Sequence, residues 1–263
     1  MAGKAFTRAV SPKLAECALT HFERLPIDVV AASAQHACYE QALREAGFEV
    51  IRLPELPEHA DGVFVEDVAL LLNDHAIITR PGASSRAGEV AFTATVLAEH
   101  FEVHPLNAGN LDGGDVLRIG QTLHVGLSSR SSVEGIGALK EIAGYLGFDV
   151  AATELSGVLH LKSAATVAGH DSAGKLVLLY NPLAVNPRQF AGVQPVAVDE
   201  DEADAANVLR VGERIIMPAG YPKTAERLNN SGFDIVEVDV SELAKAEAGV
   251  TCMSLINAPP GSS

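Results

Sequence analysis

A short pattern recurs along this chain at a nearly constant interval. Each copy has a phenylalanine, an acidic residue and an aliphatic residue, preceded in most copies by glycine, and follows a stretch with helical character. The copies lie at residues 47–50, 101–103, 147–150 and 232–235, with a weaker relative that begins at Gly192. A glycine at this place is typical of a helix that ends before a strand. The chain is therefore predicted to be built from repeated α/β units.

The rest of each unit is predicted to be a helix and a β-hairpin. Helices are expected at residues 31–46, 87–100, 132–146, 222–230 and, in a shorter form, near 186–191. Hairpins are expected at residues 68–78, 115–125, 164–179 and 207–217, because apolar runs there flank turn residues. A fifth hairpin requires residues 253–257 to pair with residues 6–10, so the two ends of the chain would share one unit.

The spacing of the units indicates the fold class. The units start at Asp67, Asp115, His160, Ala206 and Cys252, which are 48, 45, 46 and 46 residues apart. A period between about 20 and 50 residues indicates a solenoid or a propeller, and pairing the last strand with the first closes a ring. We therefore predict an α/β five-bladed propeller with a pseudo-fivefold repeat, in one domain that spans residues 1–263. A doubly wound α/β sheet is the alternative, since alternating strands and helices are also typical of that fold.

In a ring, residues that are remote in sequence converge. Asp67, Asp112, His160 and Cys252 lie at or beside the same position of successive units, so symmetry would bring them to one end of a central channel. Cys252 is the candidate nucleophile, because a thiolate is strongly nucleophilic once a nearby base or cation has favoured its formation. The alternative is a buried core cysteine, which is the interpretation we favour for Cys17.

His160 and Asp112 are the candidate partners of the thiol. His160 follows an apolar run, where an uncompensated imidazole would be costly to bury, and it shares its repeat position with Cys252. Asp112 precedes two glycines, which allow close approach of the backbone, and it could orient His160 and stabilise the imidazolium. The alternative for Asp112 is an ordinary turn residue.

Charged residues in apolar surroundings suggest the ligand. Glu66 and Asp67 interrupt an apolar stretch, and a guanidinium is a natural partner because its N–H donors match carboxylates in a bidentate manner. Arg86 and Arg130 end the same Gly-x-Ser-Ser-Arg motif after successive hairpins, which suggests a shared role such as binding a carboxylate. The alternative is a pair of solvated arginines near helix starts.

Composition excludes several classes of partner. A formal net charge of −15 argues against nucleic acid and anionic membranes, whose binding needs clustered Lys and Arg, and favours a small cation. No signal peptide or membrane span is recognisable, and three widely spaced cysteines suit a reducing compartment, so we expect a cytoplasmic protein. Zinc, EF-hand, P-loop and Rossmann motifs are not found, so neither a metal nor a cofactor is expected, although zinc could bind adventitiously to Cys252 and His160.

Several motifs together resemble the dimethylarginine dimethylaminohydrolase family. They occupy residues 64–67, 78–83, 111–117, 125–128, 159–163 and 243–252, in the order of that family and over nearly the whole chain. The resemblance implies the pentein propeller of the guanidino-modifying enzymes, which agrees with the fivefold repeat. It also implies hydrolysis of monomethyl- and asymmetric dimethylarginine to citrulline and methylamine or dimethylamine, through a covalent thiouronium on cysteine.

The resemblance assigns roles to individual residues. It implies that Cys252 is the nucleophile, His160 the general acid and base, and Asp112 its partner. The implied substrate-binding residues are Asp61, Glu66 and Asp67 around the guanidinium, Arg86 and Arg130 at the α-carboxylate, main-chain groups of Ala246 and Glu247 at the α-amino end, and Leu19 on a mobile lid. The Ala246-Glu247 pair departs from the Val-Asp of vertebrate members, which leaves the contacts to the amino end open.

Three other functions stay open at this stage. An arginine deiminase would use the same nucleophile and base, but the members with which we compare carry an additional helical domain for which 263 residues leave no room. An amidinotransferase would pass the amidino group to an amine. A non-catalytic propeller, such as a ribosome anti-association factor, would not need Cys252 opposite His160. A homodimer is one assembly that the sequence permits, and the oligomeric state does not follow from it.

Overall fold

The computed structural model describes residues 3–257. The helices are α1 Val29–Glu45, α2 Glu89–Leu97, α3 Val133–Tyr145, α4 Leu161–Ala164, α5 Pro222–Asn230 and α6 Ser241–Ala244. The strands are β1 Lys4–Thr7, β2 Glu49–Arg52, β3 Ala69–Leu72, β4 His75–Ile78, β5 Glu102–Pro105, β6 Val116–Ile119, β7 Thr122–Gly126, β8 Asp149–Thr153, β9 Ala165–His170, β10 Leu176–Tyr180, β11 Gln194–Ala197, β12 Leu209–Val211, β13 Arg214–Pro218, β14 Asp234–Val238 and β15 Leu255–Asn257.

The described strands form five three-stranded sheets of one design. In each sheet an antiparallel hairpin is followed, after a helix or helical turn, by a third strand that pairs in parallel with the second strand of the hairpin. The hairpin of the remaining sheet joins the two ends of the chain, since Lys4 pairs with Asn257 and Phe6 with Leu255. This pairing closes the ring, as the repeat predicts.

Local sequence explains where the longer helices begin and end. The Asp28 side chain accepts hydrogen bonds from Val30 and Ala31 at the start of α1, and Ser132 caps α3 in the same manner. Gly47, Gly147 and Gly232 follow three of the helices with φ of 90°, 84° and 92°, a conformation that side chains with a Cβ rarely adopt. The recurrent glycine is therefore a helix terminator, as expected.

The first strands of the five sheets surround a central channel. Residues of β3, β6, β9 and β15 line one cavity of about 260 Å³, together with Leu209 and Arg210 of β12. Each of these strands is preceded by one helical turn. The five turns are Val65–Val68, Gly113–Asp115, Leu161–Ala164, Ala203–Ala206 and Thr251–Met253. They are structurally equivalent, so they meet at one end of the channel.

The five-bladed α/β prediction is confirmed. The doubly wound alternative is wrong, because the described strands form five sheets of three strands instead of one wide parallel sheet. Two helix predictions need correction in their extent. The helix expected at residues 87–100 is shorter, Glu89–Leu97, and the one expected near 186–191 is a single 3-10 turn, Pro187–Gln189. Within residues 3–257, no helix is long and apolar enough to cross a bilayer.

A buried carboxylate ties helix α1 to strands β1 and β2 of the first blade. Glu40, on α1, is 1% exposed and accepts hydrogen bonds from Thr7 of β1 at 2.7 Å and from Arg52 of β2 at 2.8 and 2.9 Å. Burial alone would raise the pKa of Glu40, but the bonds from Arg52 and Thr7 outweigh it and lower the pKa to about 2. The carboxylate therefore stabilises the fold in its ionised form.

We expect Glu40→Gln to lower the free energy of unfolding at pH 7 by about 1–3 kcal/mol, because a charged acceptor of several hydrogen bonds is lost. The pKa of Glu40 is lower in the folded chain than its usual value of 4.5. Its contribution is therefore complete above about pH 5 and is lost as the pH falls towards 2. Urea unfolding between pH 7 and pH 3 measures this, and the gap between wild type and variant should narrow in acid.

Glu45→Gln is the matched control, since Glu45 lies on the same helix and is exposed. Its effect should stay within about 0.5 kcal/mol. A Glu40→Gln variant as stable as this control at pH 7 would contradict the role given to the buried carboxylate.

Candidate active site

Four of the five helical turns at the channel end carry the predicted site residues. Asp67, Asp112, His160 and Cys252 lie in or directly before these turns and are all less than 9% exposed. The fifth turn, Ala203–Ala206, is followed by Asn207. Symmetry thus gathers one polar residue or more from every blade into a buried cluster.

His160 and Asp112 form the innermost pair. His160 Nε2 lies 3.0 Å from Asp112 Oδ2, and the other oxygen of Asp112 accepts a hydrogen bond from the Gly82 backbone at 2.7 Å. The paired glycines after Asp112 permit this packing, because a Cβ at Gly114 would lie only 2.7 Å from His160 Nδ1. Asp112 and the backbone at Gly114 therefore hold the imidazole of His160 in one orientation.

The protonation states of His160 and Cys252 follow from their surroundings. Burial alone would lower the pKa of His160, but the carboxylates of Asp67, Asp112 and Asp115 outweigh it and raise the pKa to about 9. Burial raises the pKa of the Cys252 thiol to about 12, and the negative charges of Glu66 and Asp67 act in the same direction. At neutral pH the site therefore holds an imidazolium and a neutral thiol around one cavity.

A chain of hydrogen bonds supports the turn that carries Cys252. Asn207 donates to Thr251 Oγ1 at 3.0 Å and accepts from the Thr251 backbone at 3.0 Å. Thr251 Oγ1 donates in turn to Glu66 Oε2 at 2.8 Å, while Lys162 Nζ donates to Glu66 Oε1 at 2.5 Å. Both oxygens of Glu66 are thus occupied, and this residue lines the cavity on the far side of the turns instead of the one beside Cys252.

Asp67 and Arg86 form a buried ion pair on the other side of His160. The Arg86 guanidinium donates to Asp67 Oδ2, to both oxygens of Glu89 and to the carbonyl oxygens of Asp61 and Phe64. Burial opposes the charge of Arg86, but Asp67 and Glu89 outweigh it and raise the pKa. Most donors of Arg86 are therefore satisfied by the protein itself.

The loop after β1 covers the site. The Glu247 carboxylate accepts hydrogen bonds from the backbone N–H groups of Thr20, His21 and Phe22, at 2.9, 2.5 and 2.5 Å. Arg130 Nη2 donates to Thr20 Oγ1 at 2.9 Å, and Asp61 accepts from the Ala18 backbone at 3.2 Å. Three side chains of the site thus hold residues 18–22, which we call the covering loop, in a closed position.

A small cavity lies beneath the covering loop. Its volume is about 20 Å³, room for about one water molecule. The residues around it are Ala18, Asp61, Phe64, Asp67, Arg86, Arg130, Leu159, His160, Ala246, Glu247, Ala248 and Cys252. An arginine side chain does not fit in this space, so the covering loop must move before a guanidinium can reach Cys252.

Most of the residues predicted from sequence surround this cavity. Three do not. Leu19 packs against the core cluster of the first blade, while its neighbour Ala18 lines the cavity. Glu66 faces the opposite cavity, and Asp112 lies behind His160. Arg86 and Arg130 also differ more than their common motif suggests, since Arg86 is 3% exposed and held by carboxylates while Arg130 contacts the covering loop.

Sequence reasoning missed several supporting residues. Asp115 accepts hydrogen bonds from Ser128, Ser131 and the Leu161 backbone at 2.5, 2.6 and 3.0 Å, so it fixes the turn that follows His160. Asn207 was detectable, because the repeat aligns it with Asp115. No sequence pattern indicated a role for Glu89 or Lys162 in the site.

The donor atoms of Asp67, Asp112 and His160 lie within 4.8 Å of one another. Asp67 is paired with Arg86 and Asp112 with the Gly82 backbone, so both carboxylates already have partners other than a metal. The cluster is explained by these contacts, and the expectation that this site needs no metal or cofactor stays a prediction.

Comparisons with known proteins identify the relatives of this architecture. No protein-family model matches the chain. A protein of Streptomyces coelicolor named N(G),N(G)-dimethylarginine dimethylaminohydrolase is 39% identical over 257 residues, which are 96% of this chain and 96% of that protein. Its namesake from Pseudomonas aeruginosa is 36% identical over 231 residues, 87% of this chain and 89% of that protein.

A solved structure with the same family name is also similar to this chain. It is the dimethylarginine dimethylaminohydrolase of Pseudomonas aeruginosa as a cysteine-to-serine mutant complexed with citrulline, and it matches with a TM-score of 0.89 and 33% identity, over 97% of this chain and 99% of that one. Similarity of this extent covers all five blades and every turn of the site. The chain therefore belongs to the dimethylarginine dimethylaminohydrolase family.

Proposed function

We propose that this protein hydrolyses monomethyl- and asymmetric dimethylarginine to citrulline and methylamine or dimethylamine, with residues 1–263 as one catalytic domain. The observation that carries the proposal is a buried thiol, Cys252, in one cavity with the imidazolium of His160 and the carboxylates of Asp61 and Asp67. A relative with 33% identity carries citrulline, the proposed product. We assign Cys252 as nucleophile, His160 as acid and base, and Asp112 as the residue that orients His160.

The first half of the reaction needs a thiolate. Because burial and nearby carboxylates raise the pKa of Cys252 to about 12, the thiol stays protonated until the guanidinium of the substrate binds. The guanidinium of the substrate supplies positive charge next to the sulfur, so the thiol releases its proton to solvent and the thiolate is stabilised. The thiolate attacks the guanidinium carbon, and His160, protonated because its pKa is about 9, donates a proton to the departing amine. A thiouronium on Cys252 remains.

The second half uses the neutral imidazole that the first half leaves behind. His160 takes one proton from a water molecule, whose oxygen attacks the carbon of the thiouronium. The C–S bond then breaks and the second water proton is lost to solvent, which gives citrulline and the thiolate. Asp112 and Asp67 stabilise the imidazolium that forms again. His160 thus acts as acid first and as base second, an order that its raised pKa imposes.

Substrate contacts remain part of the proposal. Asp61 and Asp67 are the carboxylates that would receive the guanidinium, and Glu66 acts from behind by holding Thr251 and by its charge. Arg130 is the better candidate for the α-carboxylate, because Arg86 is already engaged with Asp67 and Glu89. Backbone groups of Ala246 and Glu247 would receive the α-amino end, with Leu19 moving as part of the covering loop.

The pKa of Cys252 should fall when a guanidinium binds. In a Cys38→Ser background, which removes the exposed thiol, we expect the alkylation rate to titrate at least about one pH unit lower in the presence of a saturating, unreactive arginine analogue. Iodoacetamide alkylation of Cys252 as a function of pH, followed by peptide mass spectrometry, measures the shift. An unchanged titration curve would rule out activation by the substrate's charge.

Glu247→Gln should loosen the covering loop. The carboxylate accepts three backbone hydrogen bonds, and a neutral amide accepts them more weakly, so the closed state becomes less populated. We expect KM to rise by about tenfold while kcat changes less, and trypsin to cleave faster after Arg24, close to the loop. Glu237→Gln, an exposed carboxylate on β14, is the control. A KM and a cleavage rate like those of the control would remove the loop-holding role of Glu247.

Citrulline formation from a substrate panel tests the function itself. We expect monomethyl- and asymmetric dimethylarginine to be used at least about tenfold more efficiently than arginine, a difference of about 1.4 kcal/mol, because the apolar groups of Leu159, Ala246 and Ala248 can accommodate methyl groups. Symmetric dimethylarginine should be a poor substrate, since methyl groups then occupy both terminal nitrogens. Cys252→Ser should form no citrulline, whereas Cys38→Ser should match wild type.

Equal or better use of unmethylated arginine would move the assignment to a deiminase. Transfer of the amidino group to an added amine, with little citrulline, would instead indicate an amidinotransferase. If none of the guanidino compounds is converted, a binding protein with the same fold is favoured. Measured kcat/KM for the four arginine compounds separates these outcomes.

A further inference from the structure

A second cluster of metal-ligand side chains lies outside the proposed active site. His75 begins β4, and Glu102 and His104 lie two residues apart on β5. The two strands pair in parallel with His75 opposite Glu102 and Ile77 opposite His104. In-register neighbours and residues two apart on a strand point to the same face. The backbone therefore places all three side chains together.

The distances between the three side chains match a coordination polyhedron. His75 Nδ1 lies 3.1 Å from His104 Nε2 and 3.5 Å from Glu102 Oε2, and His104 Nε2 lies 3.8 Å from Glu102 Oε1. In a tetrahedral zinc site with bonds of about 2.0–2.1 Å, neighbouring ligand atoms are about 3.3–3.4 Å apart. The Glu102 side chain is 66% exposed and free to rotate, so the longest separation can close without movement of the backbone.

The two imidazoles share a hydrogen bond, with ring centroids 5.1 Å apart. In this bond the lone pair of one ring nitrogen accepts the N–H of the other ring. A divalent ion at this place would use the lone pairs of both nitrogens, while the proton of the donor ring moves to its other nitrogen. Partial exposure of the rings, 28% and 18%, leaves the site open to an ion from solution.

We propose that His75, Glu102 and His104 form a binding site for a divalent transition-metal ion of the zinc type, with water in the fourth position. Two imidazoles and a carboxylate favour Zn²⁺, Co²⁺ or Ni²⁺ over Mg²⁺ and Ca²⁺, which prefer oxygen ligands alone. The ion would bridge β4 and β5 at the point where their pairing begins. It would thereby stabilise the second blade without taking part in turnover.

Zn²⁺ titration of the full chain without an affinity tag tests the proposal. A Cys252→Ser background removes the thiol that could also bind zinc. Isothermal titration calorimetry should show a site in this parent that His75→Ala, His104→Ala and Glu102→Gln each weaken by at least about tenfold. Glu102 is exposed, so the Glu102→Gln variant tests the site even if a histidine variant folds poorly. His170→Ala, another histidine at a strand end, is the matched control and should bind like the parent.

Two further measurements report on the ion itself. Co²⁺ added to the parent should give the visible absorption of a cobalt ion with nitrogen ligands, and His104→Ala should lose it. Zn²⁺ should raise the melting temperature of the parent but not of His104→Ala, since a ligand that binds only the folded state stabilises it. Binding of equal affinity in the parent and in all three variants, or binding no tighter than about 1 mM, would overturn the proposal. These readouts do not depend on the proposed enzymatic function.

Discussion

Closure of the ring is the constraint on which the rest of the structure depends. The last strand, β15, pairs with the first, β1, and this antiparallel pairing spans the whole sequence from Lys4 to Asn257. Together with the hydrogen bond from Thr251 to Glu66, it fixes the turn that carries Cys252 against the turn that carries Asp67. The pairing is short, three residue pairs, and it is supported by the contacts of Glu40 with Thr7 and Arg52. The position of the nucleophile is therefore determined by contacts of the N-terminal strand as well as by its own neighbours.

Charge burial is the second constraint. The end of the channel where the turns meet holds several carboxylates that are less than 9% exposed, and each is compensated in a different way. Asp67 pairs with Arg86, Glu66 with Lys162, Asp112 with His160, and Asp115 with two serine hydroxyls. Uncompensated charges at this depth would be strongly destabilising. The negative charge that remains raises the pKa of His160 against the effect of burial, and burial together with this charge raises the pKa of Cys252, so the compensation of buried charge also sets the chemistry.

Much of this arrangement could be predicted from sequence because it repeats. A period of about 46 residues gave the number of blades, the positions of the hairpins and the shared position of His160 and Cys252. Contacts between blades could not be predicted in the same way. Asn207 donates a hydrogen bond to Thr251, 44 positions away. The Glu247 carboxylate accepts hydrogen bonds from the covering loop, 225 to 227 positions away.

The different contacts made by residues that share a motif or are adjacent in sequence could not be predicted from the sequence either. Arg86 and Arg130 end the same five-residue pattern, yet of these two only Arg86 meets two carboxylates, because Glu89 follows three residues later at the start of α2. Glu66 and Asp67 are adjacent in sequence but face opposite cavities, since consecutive residues of a helical turn diverge. Which of two neighbouring acids faces the thiol depends on the rotation of a single turn, and sequence patterns do not determine that angle.

The ion pair of Lys162 and Glu66 has a consequence for traffic through the molecule. Both residues line the channel cavity of about 260 Å³, and neither lines the cavity of Cys252. The ion pair therefore separates the two cavities along the channel. A substrate would enter the cavity of Cys252 from the side of the covering loop and not through the channel. Citrulline would leave on the same side, so each catalytic cycle needs the covering loop to open.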